Sequence, residues 1–124
     1  MAKPEFTCAV RVQYLPEQSH PPAGPYAFTY TVTIRNSGDI AAQLIARHWV
    51  ITDADGQRED VRGLAVVGHQ PLLKPGEQFE YTSWTRIDTV QGQMQGTYYC
   101  MTEDAQPFEA RVPEFALVYP GALH

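Results

Sequence analysis

Alternation of apolar and polar residues with a period of two is the feature that most constrains this chain. Only a β-strand places successive side chains on opposite faces. The pattern is clearest in the segment Tyr26–Asn36, whose apolar face would hold Tyr26, Phe28, Tyr30, Val32 and Ile34. Threonines fill most of the positions between them, and helical periodicity is nearly absent from the chain. The sequence therefore predicts an all-β protein built from half-buried antiparallel strands.

Turns rich in glycine and proline divide this pattern into short segments. The predicted strands are Phe6–Tyr14, Tyr26–Asn36, Gln43–Asp53, Gln57–Val67, Glu77–Asp88, Gly92–Glu103 and Phe108–Tyr119. The segment Leu15–Pro25 holds four prolines and is predicted to be a loop. About seven to eight short strands with regularly spaced turns favour a β-sandwich, with a small barrel as the alternative.

Three of these strands carry further predictions. The segment Gln43–Asp53 is apolar on both faces, which is typical of a central strand, and Trp49 within it is expected to anchor the core. Gly96 indicates a bulge or a close approach of backbone. Pro113 favours an edge position for the last strand, because proline has no N–H to donate to a neighbouring strand.

Length and charge narrow the class of protein. The 124 residues fit one domain, for which we expect an ordered core over residues 5–118 and frayed termini. A net charge of −5 with scattered basic residues argues against a nucleic-acid-binding protein. No run approaches the roughly 20 apolar residues of a membrane span, and the start lacks an apolar leader. We therefore expect a cytoplasmic protein with Cys8 and Cys100 as free thiols, a disulfide between them being the alternative.

Several short motifs of the sequence, taken together, resemble those of the bacterial ApaG (CorD) family. The pieces that carry the likeness are Arg47-His48-Trp49, Ile51-Thr52-Asp53, Val61-Arg62-Gly63, Val66-Val67-Gly68, Tyr81-Thr82-Ser83 and Gly92 with Met94 and Gly96. The resemblance extends over roughly Phe6 to Leu117. It implies an immunoglobulin-like or fibronectin type III-like β-sandwich. It also implies a link to cobalt resistance and magnesium efflux, and it suggests interaction modules, but it names no reaction.

The glycine segment from Arg62 to His69 is one candidate site. Many proteins that resemble this chain have G-x-G-x-x-G here, whereas this sequence has Ala65 at the middle position. No helix follows Gly68, so a dinucleotide-binding loop is excluded by its context. Backbone N–H groups of the loop, with Arg62, Gly63, Gly68 and His69, are the candidate site for a phosphate-containing anion. The alternative is that both glycines serve a bulge and a turn.

Metal and catalytic sites are not predicted. The four histidines do not pair at spacings typical of metal ligands, and the acidic residues near Asp55 do not complete a calcium loop. Neither cysteine has the basic neighbours that activate a nucleophile, and no serine lies in an elbow motif. We expect no cofactor and no enzymatic activity.

Trp84 and Arg86 form the second candidate site. Alternation places them opposite Phe79, Tyr81 and Ile87, so they are expected at the surface, where an exposed tryptophan with an arginine is typical of an interface centre. The alternative is a tryptophan that lies flat on a neighbouring loop. The preferred hypothesis is a non-enzymatic binding domain with a protein partner. A small-ligand protein that binds pyrophosphate or a nucleotide phosphate is the other, and the sequence leaves monomer and homodimer open.

Overall fold

The structure, a computed structural model, describes residues 2–122 and consists almost entirely of β-strands. The strands are β1 (Phe6–Leu15), β2 (Tyr26–Asn36), β3 (Ala42–Asp53), β4 (Arg58–Leu64), β5 (Leu72–Leu73), β6 (Gln78–Ile87), β7 (Gln91–Thr102) and β8 (Pro107–Val118). Two short 3₁₀ turns lie at Pro16–Gln18 and Pro120–Ala122. All seven predicted strands are present, and the two-residue strand β5 was not predicted.

The strands form two antiparallel sheets. One sheet has the order β1-β2-β6, and the other has the order β4-β3-β7-β8, with β5 paired to the start of β3. The predicted β-sandwich is confirmed, and the likeness to immunoglobulin or fibronectin type III domains stays a prediction. β3 is a central strand, as predicted, because β4 and β5 pair along one of its edges and β7 along the other.

Aromatic side chains fill much of the core between the sheets. Trp49 is 2% exposed and contacts Tyr30, Tyr98 and Phe115, so its predicted role as a core anchor is confirmed. The hydroxyls of Tyr81 on β6 and Tyr98 on β7 are 2.5 Å apart and join the two sheets through a buried hydrogen bond. Burial raises the pKa of both phenols. The pair is therefore a neutral link between the layers.

Both cysteines are free thiols, as predicted. Burial raises the pKa of Cys8 and of Cys100 to about 12, so both side chains stay protonated at neutral pH. The prediction of frayed termini falls partly on Met1, Leu123 and His124, which lie outside the described residues. Within residues 2–122, neither helical turn has the length and apolar character needed to span a bilayer.

The two sides of the sandwich, where the edges of the two sheets meet, differ. On one side β1 packs along β8, through contacts such as Phe6 with Phe108 and Tyr14 with Tyr119. β8 lies at the edge of its sheet, which confirms the prediction from Pro113. On the other side are the edge strands β4 and β6, which within residues 2–122 pair only with β3 and β2 respectively. The sandwich is thus closed by packing on the β1 side and open on the β6 side.

Candidate functional site

A cleft of about 350 Å³ lies on the open side of the sandwich, between β4 and β6. We call it the inter-sheet cleft. Its lining comes from four strands and consists of Tyr30, Arg47, Trp49, Ile51, Glu59, Val61, Ser83, Trp84, Thr85 and Arg86. A continuation of about 200 Å³ follows the same two strands toward Asp53, Arg58 and Asp88. Aromatic, hydroxyl and charged groups therefore meet in one concave surface, which is the usual composition of a binding site.

The place of Arg47 in the cleft depends on an irregularity of β3. The pairing of β3 with β7 shifts between Leu44 and Ala46, so one extra residue enters the strand there. A bulge of this kind moves the following side chains to the other face. Arg47 consequently lies on the inward face with Trp49, where most of its neighbours are apolar.

Among the residues that the structure describes, backbone carbonyls bind the guanidinium of Arg47 and no carboxylate does. Its Nη1 donates to the carbonyl oxygens of Leu64 and Ala65 at 3.0 and 2.8 Å. Gly63 lies directly opposite in β4, and a Cβ at that residue would lie 3.0 Å from the same nitrogen. The missing side chain of Gly63 thus gives the guanidinium its space, and Arg47 in turn ties the end of β4 to β3.

Tyr30 and Ser83 supply two of the three hydroxyl groups that line the cleft, the third being that of Thr85. Tyr30 is 7% exposed, and burial raises its pKa, although a hydrogen bond from Ser83 and the charge of Arg47 oppose that shift. A phenol, a serine hydroxyl and a guanidinium therefore converge at the inner end of the cleft. All three groups can donate to an acceptor on a ligand, and the guanidinium favours an anionic one.

Trp84 and Arg86 form the rim of the cleft on β6. Trp84 is 60% exposed, so the predicted exposure is confirmed and the side chain is not covered by a loop. The guanidinium carbon of Arg86 lies 5.7 Å from the centre of the indole ring, which is within the range of a cation–π contact. Arg86 makes no ion pair with a carboxylate of the described residues. The rim therefore offers a large aromatic surface and a cation free to bind a partner.

The candidate anion residues lie in different surroundings. Arg62 is on the outer face of the five-stranded sheet, where its guanidinium is 3.7 Å from Asp60. Gly63 faces inward against Arg47, and the ring of His69 packs on Phe79 at 5.6 Å. Arg62 thus lies across the sheet from Gly63, and His69 contacts the end of the three-stranded sheet.

A tight turn accounts for most of the glycine segment. Val66 and His69 exchange two backbone hydrogen bonds of 2.8 Å, and Val67 and Gly68 between them have φ values of 41° and 84°. These angles define a type I′ hairpin turn. Ala65 also has a positive φ, of 68°. That conformation favours glycine, which gives a backbone reason for the glycine that the family resemblance implies at this position.

The same turn uses much of the local donor capacity. The N–H groups of Ala65, Val66 and His69 all donate to backbone carbonyls. The N–H groups of Val67 and Gly68 are the ones left for an anion. The loop therefore offers fewer backbone donors than the sequence suggests. A phosphate ligand at this loop stays a prediction, and a thermal-shift measurement with pyrophosphate tests it.

A charged cluster lies on the outer face of β3 and β4. Asp60 accepts two bonds from Arg58, at 2.8 and 3.0 Å, and lies 2.8 Å from His48. The hydrogen bond from Arg58 is the main reason that the pKa of Asp60 lies well below its usual range, followed by that from His48. The groups of this cluster satisfy one another, and within residues 2–122 no three His, Cys, Asp or Glu side chains are arranged to hold a metal ion.

Comparison with known proteins places the chain among close relatives. A family model described as the ApaG domain matches residues 16–102. The chain is 58% identical to Protein ApaG of Ralstonia nicotianae over 124 residues, which is 100% of both chains. It is 55% identical to Protein ApaG of an Acidovorax species over 94% of this chain and 87% of that one. A crystal structure from Bordetella pertussis, of a protein described as ApaA, superposes with a TM-score of 0.91 at 50% identity, over 94% of this chain and 95% of the other.

Proposed function

Because the chain belongs to the ApaG domain family, we propose that it acts as a binding domain that docks a protein partner at the inter-sheet cleft. One observation carries the proposal: Trp84, 60% exposed, lies on an edge strand with Arg86 beside its ring and a cleft behind it. Tryptophan and arginine are the residues that most often dominate interface energies, when they lie beside a concave surface that excludes water.

A binding role is favoured over a catalytic one by the state of the reactive groups. The thiols of Cys8 and Cys100 have pKa values of about 12, so neither is a thiolate at neutral pH. His48 is bonded to Asp60 on the outer face, away from the cleft. The hydroxyls in the cleft belong to Tyr30, Ser83 and Thr85, and burial raises the pKa of the Tyr30 phenol, so that group stays neutral at neutral pH. These groups suit recognition better than proton transfer.

The cellular setting is part of the same proposal. We place the protein in the cytoplasm, where both thiols would stay reduced. The link to cobalt resistance and magnesium efflux that the family resemblance implies would then be indirect, through the partner that the domain binds. Nucleic acid is not the expected partner, since the net charge is −5.

Comparative capture from native lysate tests this function. We expect the wild-type chain to retain a protein that Trp84→Ala loses, because removal of an interface-centre tryptophan typically costs at least about tenfold in affinity. Tyr99→Ala is the matched control, since Tyr99 is 41% exposed on the other sheet. Arg62→Ala examines the glycine loop in parallel. Identical capture by the wild-type and Trp84→Ala chains would refute docking at the cleft.

A further inference from the structure

The free edge of β6 has the features of a strand that accepts another strand. We propose that an extended, acidic segment of the partner adds to β6 as a further strand, with a carboxylate on Arg86. This inference rests on the proposed function and names the partner's conformation and charge at the same cleft. Added strands gain affinity from main-chain hydrogen bonds and specificity from alternate side chains.

The register of β2 and β6 shows which backbone groups are available. Asn36 donates its N–H to the carbonyl of Glu77 at 2.9 Å, and the pairing continues in register to Tyr26 and Ile87. Hydrogen-bonded pairs alternate along an antiparallel ladder. The backbone groups of Phe79, Tyr81, Ser83, Thr85 and Ile87 therefore point to β2. Those of Gln78, Glu80, Thr82, Trp84 and Arg86 point to the free edge.

The other edges of the sandwich carry the protection that β6 lacks. β8 contains Pro107 and Pro113, and β1 packs along β8. β4 is interrupted by Gly63 and has four charged residues among its seven. β6, by contrast, is ten residues long, has neither proline nor lysine, and presents Thr82, Ser83, Trp84 and Thr85 in its middle. Natural edge strands are usually protected against pairing with strands of other chains, so an unprotected edge strand indicates a binding role.

The connection between β4 and β6 leaves this edge open. The His69 ring of the hairpin packs on Phe79, so the hairpin reaches only the first residues of β6. The segment that follows lies toward β3, since Leu44 N–H donates to the Pro71 carbonyl and β5 pairs with Ala42 and Gln43. In residues 2–122, no strand pairs with β6 except β2. The space beside β6 is the inter-sheet cleft, so an added strand would place its inward side chains there.

Charge indicates the chemistry of the added segment. Arg86 and Arg47 both line the cleft, and neither has a carboxylate within 4 Å among the residues that the structure describes. Glu59 lines both the cleft and its continuation, whereas Asp53 and Asp88 line the continuation alone. An acidic side chain on the partner would thus meet arginine near Trp84, and a basic one would suit the far end.

A short peptide probes this directly. The probe is a capped peptide of about six residues that alternates threonine and valine with one central glutamate, the usual length of a strand. Nuclear magnetic resonance titration should shift the amide signals of Thr82, Trp84 and Arg86 and leave those of β8 unchanged. Replacing the peptide glutamate by glutamine should weaken binding about fivefold. A peptide with lysine in place of the glutamate should bind the wild type weakly and the Arg86→Glu variant with restored affinity. Arg35→Glu, on the same face of β2, is the control for net charge.

Two variants separate strand addition from simple docking. Thr82→Pro removes an N–H that faces the free edge and leaves the ladder to β2, whereas Thr82→Ala loses the same side chain and keeps that N–H. We expect at least about tenfold weaker peptide binding for the proline variant only. No binding at millimolar peptide, or equal binding by both variants, would overturn strand addition. If Trp84→Ala still abolished capture of the protein partner, docking at the cleft would stand without it.

Discussion

The indole of Trp49 lies directly against the backbone of Gly96, its partner in β7. A Cβ at residue 96 would lie 2.7 Å from two carbons of the ring. Tyr30, Tyr98 and Phe115 contact the buried ring, so a shift of the ring away from residue 96 would disturb these contacts. The predicted close approach at Gly96 is therefore a packing requirement of the core, and the register of β7 and β8 also shifts there.

Gly96→Ala should lower the free energy of unfolding by about 2–3 kcal/mol, since overpacking displaces the ring and disturbs its contacts. Urea denaturation monitored by tryptophan fluorescence measures it. Gly56→Ala is the control, because Gly56 has a φ of 83° and a Cβ added there would meet no other atom within 4 Å. That variant should lose about 1 kcal/mol through backbone strain alone. Equal losses in both variants would contradict the packing explanation.

Val67→Asn should raise the free energy of unfolding by about 1 kcal/mol. Val67 is a β-branched residue at a φ of 41°, and the change creates the Asn-Gly pair that type I′ turns prefer. Chemical denaturation checks this, with Val90→Asn as the matched control, because Val90 is also exposed and lacks a positive φ. A gain shared by both variants would trace the effect to lower surface hydrophobicity instead.

Alkaline pH should destabilise the fold through its thiols. The pKa of each is raised from 9.0 to about 12, so the folded state holds protons that the unfolded chain releases. The stabilisation is complete below pH 9 and declines as pH rises toward about 12, by about 1 kcal/mol per thiol at pH about 10. Unfolding free energies of the wild type and of Cys8→Ala/Cys100→Ala across this window measure it. The double variant should show the smaller slope, and parallel slopes would argue against buried, protonated thiols.

Asp60 should remain ionised at pH values where exposed aspartates protonate. Its pKa is lowered chiefly by the hydrogen bond from Arg58, so its contribution to stability is present above the usual carboxyl range and is lost as pH falls through the lowered value. A carboxyl titration by nuclear magnetic resonance should show the pKa of Asp60 rising in Arg58→Gln. Arg62→Gln, which removes a contact of 3.7 Å, should move it less. A larger effect from Arg62 would reverse the assigned cause.

Local patterns in the sequence predict most of the fold. β2 has its predicted bounds because its alternation is uninterrupted, and the central place of β3 follows from apolar residues on both faces. β4 ends at Leu64, three residues before its predicted end, because positive φ at Ala65 and Val67 breaks the strand. β5 was missed since two residues beside Pro71 carry no period.

The candidate site was only half visible from the sequence. Alternation exposes Trp84 and Arg86, and the structure places them on a cleft rim. Tyr30, Arg47 and Glu59 come from three other strands, and their meeting depends on which strands are neighbours across the sandwich. Single-sequence patterns do not contain that information. Arg47 can be recognised in the sequence as a charged residue on an otherwise apolar face. The β-bulge that orients it has no recognisable sequence pattern.

The parallel course of β1 and β8 has a mechanical consequence. Phe6 lies beside Phe108 near the start of both strands, and Tyr14 lies beside Tyr119 near their ends. A tension applied to the two ends of the domain would shear these strands along each other. All their contacts would then bear the force at the same time and would not break one after another. The closed side of the sandwich would therefore carry the load, and the cleft on the opposite side would keep its shape while the chain is pulled.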